Sequence, residues 1–349
     1  MLVLLLACDT PDPGLAPADP FAPGRFGVGH AVIRLGSAEG RTVDAEVWTP
    51  ADTAGIDPIE AFVPTAELDA WRALTEAAPS GCPATDNPAA AGAALAEGGP
   101  WPLVAMSHCT GCTRFSNATV AAHLASHGYV VVAPDHAGDT LYDTLAGTDL
   151  PLDTDTLALR AADLEAAIDA GLGGELGATV DPARVGVYGH SFGAVTAGLV
   201  LQERAEVGAA AFVGAPPDNP FLPGVDAAAF AAPTLFVRLM EDHSVGAAGN
   251  LLIDGNFEET APPTWRADYA DAGHWSPSDL VGVTDDFLPG CGEDTREATG
   301  EPFAYPEPAH ARAVTAGLAA AFFAATLDGD SVAREALDEG DEAVVVESR

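Results

Sequence analysis

Lysine is absent from this chain, and basic residues of any kind are scarce. All 14 are arginines, set against 52 Asp and Glu residues, so the formal net charge is −38. Nucleic acids attract basic proteins, and an anionic lipid surface repels a protein of this charge. The charge therefore excludes nucleic acid as a partner and direct adsorption to such a surface.

A long hydrophobic run is also absent from the start of the chain, where a membrane span would need roughly 20 apolar residues. The apolar start of the chain is too short for a span and lacks the basic n-region of a signal peptide. However, Leu5-Leu6-Ala7-Cys8 resembles a bacterial lipobox, in which the cysteine is lipidated after cleavage. We therefore expect a lipoprotein of the bacterial cell envelope, anchored to the membrane only through Cys8.

Cysteine is rare, with five residues in the whole chain. Four lie beyond Cys8, namely Cys82, Cys109, Cys112 and Cys291. In an exported protein they predict two disulfides, and three connectivities are possible. Cys109 and Cys112 have CxxC spacing, but neither a second ligand pair nor a thioredoxin-like context accompanies them. We therefore expect no metal and no cofactor.

Strand-like and helix-like segments alternate along the rest of the chain. An antiparallel pair is predicted first, and buried strands and amphipathic helices follow. The predicted strands are 26–34, 41–48, 101–107, 129–133, 185–188, 208–213, 233–239 and 264–269, and the predicted helices are 66–78, 116–127, 157–172 and 309–327. Such alternation indicates an α/β fold with a mostly parallel central sheet and helices on both faces.

The length and the 48% hydrophobic content suit one large domain. We expect a signal and a Pro/Asp-rich tether over 1–25, and the domain over 26–327 with an insertion at about 51–100. Residues 328–349 are acidic. Because the Asp328-x-Asp330 start lacks the glycine of a calcium loop, this segment is interpreted as a solvated tail.

The most specific motif is Gly189-His190-Ser191-Phe192-Gly193, between a predicted strand and a run of small residues with helical character. Gly-x-Ser-x-Gly in this setting is typical of a nucleophile elbow, where glycines permit the sharp turn that exposes the serine. Ser191 is therefore the candidate nucleophile.

A serine nucleophile needs a base and an acid, which follow it in the chain order of this elbow. Of the three histidines beyond Ser191, His274 is favoured over His243 and His310 because it directly follows the last predicted strand. Asp242 is the favoured acid, and Glu241 and Asp218 remain alternatives. The acid would hold the imidazole in the required tautomer.

Two backbone N–H groups are expected to stabilise the oxyanion. One follows the nucleophile, at Phe192, and the other lies in the loop 107–111. The segment 135–139, with two aspartates and a histidine, is interpreted as a structural turn near the pocket rather than a metal site. Four apolar residues, Phe212, Phe221, Leu222 and Phe230, are either pocket wall or ordinary core.

These motifs together resemble the bacterial α/β-hydrolases related to platelet-activating-factor acetylhydrolase and dienelactone hydrolase, over residues 26–291. The resemblance is carried by Gly27-Val28-Gly29, Val47-Trp48-Thr49-Pro50, Ser107-His108, 123–131, Ala133-Pro134-Asp135-His136, 189–193 and Ala272-Gly273-His274-Trp275-Ser276. It implies a metal-free serine esterase or lipase-like hydrolase acting on a small-molecule or lipid ester.

By the same resemblance, Ser191 is the nucleophile, His274 the base, and Thr110 and Phe192 the oxyanion donors. The family usually has glycine where Cys109 stands, and a disulfide there would replace the freedom of glycine with a constraint. The acetylhydrolase takes its acid after the strand that ends here at Val213-Gly214, where this chain has no carboxylate. That departure favours Asp242.

Two other functions remain open at this point. One is a lipid-anchored binding protein with this fold and little turnover, and the other is perhydrolysis or peptide cleavage by the same three residues.

Overall fold

The computed structural model describes residues 19–349, and Cys8 with its predicted lipobox lies outside them. Within this range the chain alternates strands and helices much as the sequence predicts. The strands are β1 Gly27–Gly36, β2 Thr42–Ala51, β3 Asp57–Pro58, β4 Asp86–Asn87, β5 Ala90–Ala91, β6 Trp101–Ser107, β7 Val130–Pro134, β8 Val180–His190, β9 Val207–Val213, β10 Thr234–Leu239, β11 Thr264–Tyr269, β12 Glu293–Thr295, β13 Pro302–Ala304 and β14 Val344–Ser348. The helices are α1 Leu68–Ala77, α2 Ala118–Ser126, α3 Leu141–Ala146, α4 Thr154–Leu172, α5 Phe192–Glu203, α6 Gly246–Glu259, α7 Pro308–Leu327 and α8 Ser331–Glu339.

The main sheet has ten strands within residues 19–349, in the order β14-β11-β10-β9-β8-β6-β7-β2-β1-β5. Strands β7, β6, β8, β9, β10 and β11 are mutually parallel. β1 and β2 form the predicted antiparallel pair, and β2 also runs antiparallel to β7. The carboxyl ends of six parallel strands therefore meet at one edge, where sites gather in open α/β sheets.

Helices cover both faces of this sheet, as predicted. One apolar core lies under α2, α7 and α8, and the other under α4, α5 and α6. The parallel strands are buried on both faces and are accordingly rich in Val, Ala, Leu and Phe. Helix α7 is long and apolar enough to cross a membrane by composition alone, yet two thirds of its most apolar window is buried inside this domain.

The described N-terminal residues pack onto the domain instead of hanging free before residue 26. The His123 ring donates to the carbonyl of Pro20 at 2.7 Å, and the His127 ring donates to that of Ala22 at 3.0 Å. Phe21 fills the space beside Gly317, where a Cβ would lie 2.3 Å from its ring. The folded domain thus begins before the predicted boundary.

The C-terminal segment 328–349 is not a solvated tail, and this expectation was wrong. Asp328 accepts from the Tyr129 hydroxyl at 2.5 Å and pairs with Arg184 at 2.8 Å. Asp330 caps α8, and β14 extends the main sheet by pairing antiparallel with β11. The acidic residues are held by specific donors, which the composition of the segment does not reveal.

Two disulfides form among the four cysteines. Cys82 in the insertion bonds to Cys291, and Cys109 bonds to Cys112. The first ties the loop after α1 to the region after His274, and the second closes a four-residue ring just after β6. The predicted disulfides are therefore confirmed, and their connectivity is now assigned.

Candidate active site

Ser191 stands on a strained turn between β8 and α5. Its backbone has φ 58° and ψ −124°, a conformation that non-glycine residues rarely adopt. Two glycines make the turn possible. A Cβ at position 189 would lie 2.0 Å from the carbonyl oxygen of Gly193, and one at position 193 would lie 2.1 Å from that of Ser107. The motif thus folds as the elbow that the sequence predicts, with the Ser191 side chain partly exposed.

A chain of hydrogen bonds leads away from Ser191 into the protein. The Ser191 hydroxyl lies 2.8 Å from His274 Nε2, and His274 Nδ1 lies 2.7 Å from Asp242 Oδ2. The other oxygen of Asp242 accepts the backbone N–H groups of Ser244 and Val245 at 2.8 and 2.9 Å. Since the carboxylate acts only as an acceptor here, His274 carries its proton on Nδ1 and leaves Nε2 free to accept from Ser191.

The alternative acids are engaged elsewhere. Glu241 and Asp271 both pair with Arg296. Asp218 accepts the backbone N–H of Ala227 at 3.2 Å, beside α6. The structure therefore brings Asp242 to His274 and leaves Glu241 and Asp218 away from it.

The two other downstream histidines also lie apart from Ser191. His243 Nδ1 is 3.4 Å from Asp294, and His310 is exposed at the start of α7. A fourth histidine, which the sequence argument did not use, does contact the site. His190 is fully buried and donates from Nε2 to the backbone carbonyl of His274 at 2.9 Å. Burial, reinforced by the neighbouring His274, lowers the pKa of His190 to about 3, so this ring stays neutral.

The predicted oxyanion donors lie on two segments that pack together. Phe192 is the first residue of α5, and the adjacent Gly193 touches the carbonyl of Ser107 at the end of β6. Thr110 follows on the loop after β6. Within residues 19–349 neither the Thr110 nor the Phe192 N–H is used in a hydrogen bond. Both donors are thus available to a ligand.

The loop that carries Thr110 is tightly constrained. The Cys109–Cys112 disulfide closes around Thr110 and Gly111, and both cysteines are fully buried. The carbonyl of Cys109 accepts from the His108 ring at 2.7 Å, and that of Cys112 accepts from the backbone of Leu141 at 2.7 Å. A covalent ring therefore stands at the position where the sequence resemblance implies a glycine.

The segment 135–139 forms a structural turn, as expected from the sequence. Asp135 binds the backbone and guanidinium of Arg114, each at 2.7 Å, and His136 lies 2.8 Å from the Ser107 hydroxyl. Asp139 pairs with the buried Arg160. Within residues 19–349 no cluster of His, Cys, Asp or Glu has the arrangement of a metal site.

The sequence does not decide whether four apolar residues line the pocket or belong to the core, and the structure places three of them in the core. Phe212, Leu222 and Phe230 are buried beneath α5 and α6. Phe221 differs from them, with 84% of its surface exposed.

Comparison with known proteins agrees with this architecture. A model of the family "platelet-activating factor acetylhydrolase, isoform II" matches residues 39–150, and a model of the alpha/beta hydrolase family matches residues 104–230. A solved ferulic acid esterase from Streptomyces cinnamoneus superposes with a TM-score of 0.66 and 24% identity, covering 88% of this chain and 93% of that one. The chain has the α/β-hydrolase fold. It resembles enzymes of the platelet-activating-factor acetylhydrolase type, and no curated protein matches it significantly.

The family matches overlap at residues 104–150 and otherwise cover different parts of this α/β-hydrolase. The acetylhydrolase match includes the Thr110 loop but ends before the elbow, and the alpha/beta hydrolase match includes Ser191. Neither extends to Asp242 or His274. The assignment of those two residues therefore depends on the geometry described above.

Proposed function

We propose that this protein is a serine esterase that hydrolyses carboxylic esters through a covalent acyl-enzyme intermediate. The observation that carries the proposal is the unbroken hydrogen-bond chain from the Ser191 hydroxyl through His274 to Asp242, with 2.8 and 2.7 Å links. Nucleophile, base and orienting acid within hydrogen-bond reach are the arrangement that activates a serine.

The reaction proceeds in two steps. The Ser191 oxygen attacks the ester carbonyl carbon while His274 Nε2 takes the hydroxyl proton, and the negative oxygen is bound by the N–H groups of Thr110 and Phe192. The carbonyl re-forms, and the alcohol leaves with the proton from His274. Water then attacks the acyl-Ser191 ester, again giving its proton to His274, and the acid product and free Ser191 result.

We expect the substrate to be an uncharged, lipophilic ester. Exposed apolar side chains lie in the segments that follow the parallel strands β7, β9 and β10, at the same edge of the sheet as the β8 elbow. They are Leu145, Leu150, Leu152, Phe221 and Met240. The large negative charge of the protein disfavours anionic substrates.

Hydrolysis of an ester panel tests this function. The panel contains p-nitrophenyl acetate, butyrate and octanoate, methyl ferulate (after the structural neighbour) and a p-nitroanilide peptide. We expect turnover of neutral esters by the wild type and a loss of kcat of several orders of magnitude in Ser191→Ala. Ser244→Ala is the matched control, because this nearby serine is exposed and only its backbone contacts Asp242.

Covalent labelling separates catalysis from mere binding. A fluorophosphonate should add to Ser191 of the wild type at neutral pH and leave Ser191→Ala unmodified. A folded wild type that neither forms this adduct nor hydrolyses any ester would favour the non-catalytic binding protein. Cleavage of the peptide in preference to every ester would favour a peptidase. Formation of a peracid from hydrogen peroxide and a carboxylic acid, without ester hydrolysis, would favour a perhydrolase.

We also propose that the protein is a lipoprotein of the bacterial cell envelope, anchored through Cys8. The support is the Leu5-Leu6-Ala7-Cys8 pattern, together with two disulfides of the kind found in oxidising compartments. Protein from the native host should begin at a diacylglyceryl Cys8 by intact-mass analysis, and Cys8→Ser should abolish that modification. A mature protein that retains an unmodified Met1 contradicts the anchor.

A further inference from the structure

Arg160 is a fully buried arginine on α4, directly behind the loop that carries Thr110. Only 1% of its surface is accessible, and none of the proposed reaction steps uses it. Burying a guanidinium is costly, and a buried ion pair is weak evidence for stability. The planar, rigid guanidinium of this side chain therefore suits a positioning role better than a purely stabilising one.

One side of the guanidinium is bonded to the loop after β6. Arg160 Nη1 pairs with Asp139, whose other oxygen accepts the Thr110 hydroxyl at 2.6 Å and the Gly111 N–H at 3.0 Å. Arg160 Nη2 donates to the backbone carbonyl of His108. The peptide that presents the Thr110 N–H is thus fixed on both sides. Asp139 holds the residues on its C-terminal side, Thr110 and Gly111, and Arg160 holds the carbonyl of His108 on its N-terminal side.

The other side of the same guanidinium is bonded to the start of α5. Its central carbon lies 4.5 Å from the centroid of the Phe192 ring, within the range of a cation–π contact. Arg160 Nε also donates to the Thr196 hydroxyl at 3.2 Å, and that hydroxyl donates to the Phe192 carbonyl at 3.1 Å. The residue with the second N–H donor is therefore held by its ring and by its backbone.

We propose that Arg160, with Asp139, is the positioning element of the oxyanion hole and sets the spacing of the Thr110 and Phe192 N–H groups. Arg160 does not touch the substrate and acts through these two residues. An oxyanion site depends on donors that are already in place about 2.7–3.1 Å from the developing charge, so a small displacement of either segment weakens it. This inference rests on the proposed esterase function.

The test compares Arg160→Gln with the wild type in ester hydrolysis and in binding a trifluoromethyl ketone, which forms a tetrahedral alkoxide adduct with the serine. We expect kcat to fall roughly 30-fold or more, with KM changed by less than about threefold, because donors to the oxyanion act in the transition state. Affinity for the ketone should fall by about the same factor as kcat/KM. Arg204→Gln, which removes a more exposed arginine paired with Asp169 and Glu206, is the matched control.

Asp139→Asn provides a second route if Arg160→Gln does not fold. The amide oxygen can still accept from Thr110 and Gly111, while the charge that binds Arg160 is lost. We therefore expect a smaller loss of kcat than in Arg160→Gln, and a loss of ketone affinity by the same factor as this loss of kcat. A folded variant with wild-type kcat, or one that loses kcat while the ketone binds normally, overturns the positioning role. A wild type that neither hydrolyses esters nor binds the ketone instead refutes the proposed function itself.

Discussion

At the residue scale, the candidate site depends on which carboxylate orients His274. The sequence alone leaves three, because Asp218, Glu241 and Asp242 all follow strands that end at the same edge of the sheet. The structure separates them by their partners. Arg296 binds Glu241, Asp218 lies beside α6, and only Asp242 reaches the imidazole.

Asp242→Asn is expected to lower kcat by about 10⁴-fold, because an amide can donate to Nδ1 and thereby favour the wrong imidazole tautomer. Steady-state hydrolysis of p-nitrophenyl acetate measures the effect. Glu241→Gln, one residue away, loses only the pairing with Arg296 and should keep kcat within about threefold of the wild type. Near-normal turnover by Asp242→Asn would contradict the assignment.

The elbow motif fixes the order in which nucleophile, acid and base occur, so the sequence selects Ser191 and His274 and limits the candidate acids to a few carboxylates. Arg160 and Asp139 cannot be found in the same way. In the sequence, Asp139 lies in a segment with the pattern of a turn, and Arg160 has the spacing of a surface arginine on an amphipathic helix. Their role depends on contacts with residues 21 to 52 positions away, which no local pattern records.

At the scale of elements, eight strands (β1, β2 and β6 to β11) and five helices follow from periodicity, whereas the short strands and three helices do not. Helix α3 is short and depends on a capping box between Thr140 and Asp143. Helix α6 contains glycines and asparagines, and it is held by side-chain amides, since Asn250 donates to the Leu239 carbonyl and Asn256 accepts from the Asp218 backbone. Helix α8 and strand β14 were missed because an acidic composition resembles a solvated tail.

The two disulfides should have different consequences when removed. In the chain-entropy picture, the 209-residue separation of Cys82 and Cys291 gives up to about 5 kcal/mol of stability, and the three-residue separation of Cys109 and Cys112 gives about 2 kcal/mol. Conversely, only the second bond constrains the four-residue loop that carries Thr110. We expect Cys82→Ala/Cys291→Ala to lower the free energy of unfolding more, and Cys109→Ala/Cys112→Ala to lower kcat about tenfold.

Urea unfolding and ester hydrolysis of both double variants measure this contrast, and each variant serves as the control for the other. An unchanged kcat in the variant that lacks Cys109 and Cys112 would show that Asp139 and the packing of the loop suffice to hold Thr110.

At the scale of the whole molecule, buried neutral histidines predict acid sensitivity. Burial is the main cause that lowers the pKa of five histidines, to about 4 for His123 and about 3 for His190. The others are His108, His127 and His136. As the pH falls below the unfolded value of 6.5, the unfolded chain binds protons that the native state does not, so stability is lost.

Each such histidine contributes about 1.4 kcal/mol per pH unit to this loss over the interval between its two pKa values. His30 acts with the opposite sign. Burial opposes its charge, but bonds to Glu46 and Asp57 raise its pKa, so its contribution is present below pH 6.5 and lost as the pH rises through its folded pKa. With five histidines against one, the contribution of the histidines to the free energy of unfolding should fall between about pH 7 and about pH 5.5.

Urea titrations at those two pH values measure the change. His123→Gln should reduce the loss of unfolding free energy between the two pH values by the contribution of one histidine. Equal free energies of unfolding at the two pH values would contradict the prediction.

The bond between Cys82 and Cys291 has one more consequence, for a protein cut by proteases. Thr110, Ser191, Asp242 and His274 all lie between these two cysteines, and so do Asp139 and Arg160. A single cleavage anywhere in that interval opens a covalent ring without releasing either piece. The nicked protein should migrate as one band on a non-reducing gel and as two after reduction, with every residue of the proposed site still tethered to the rest.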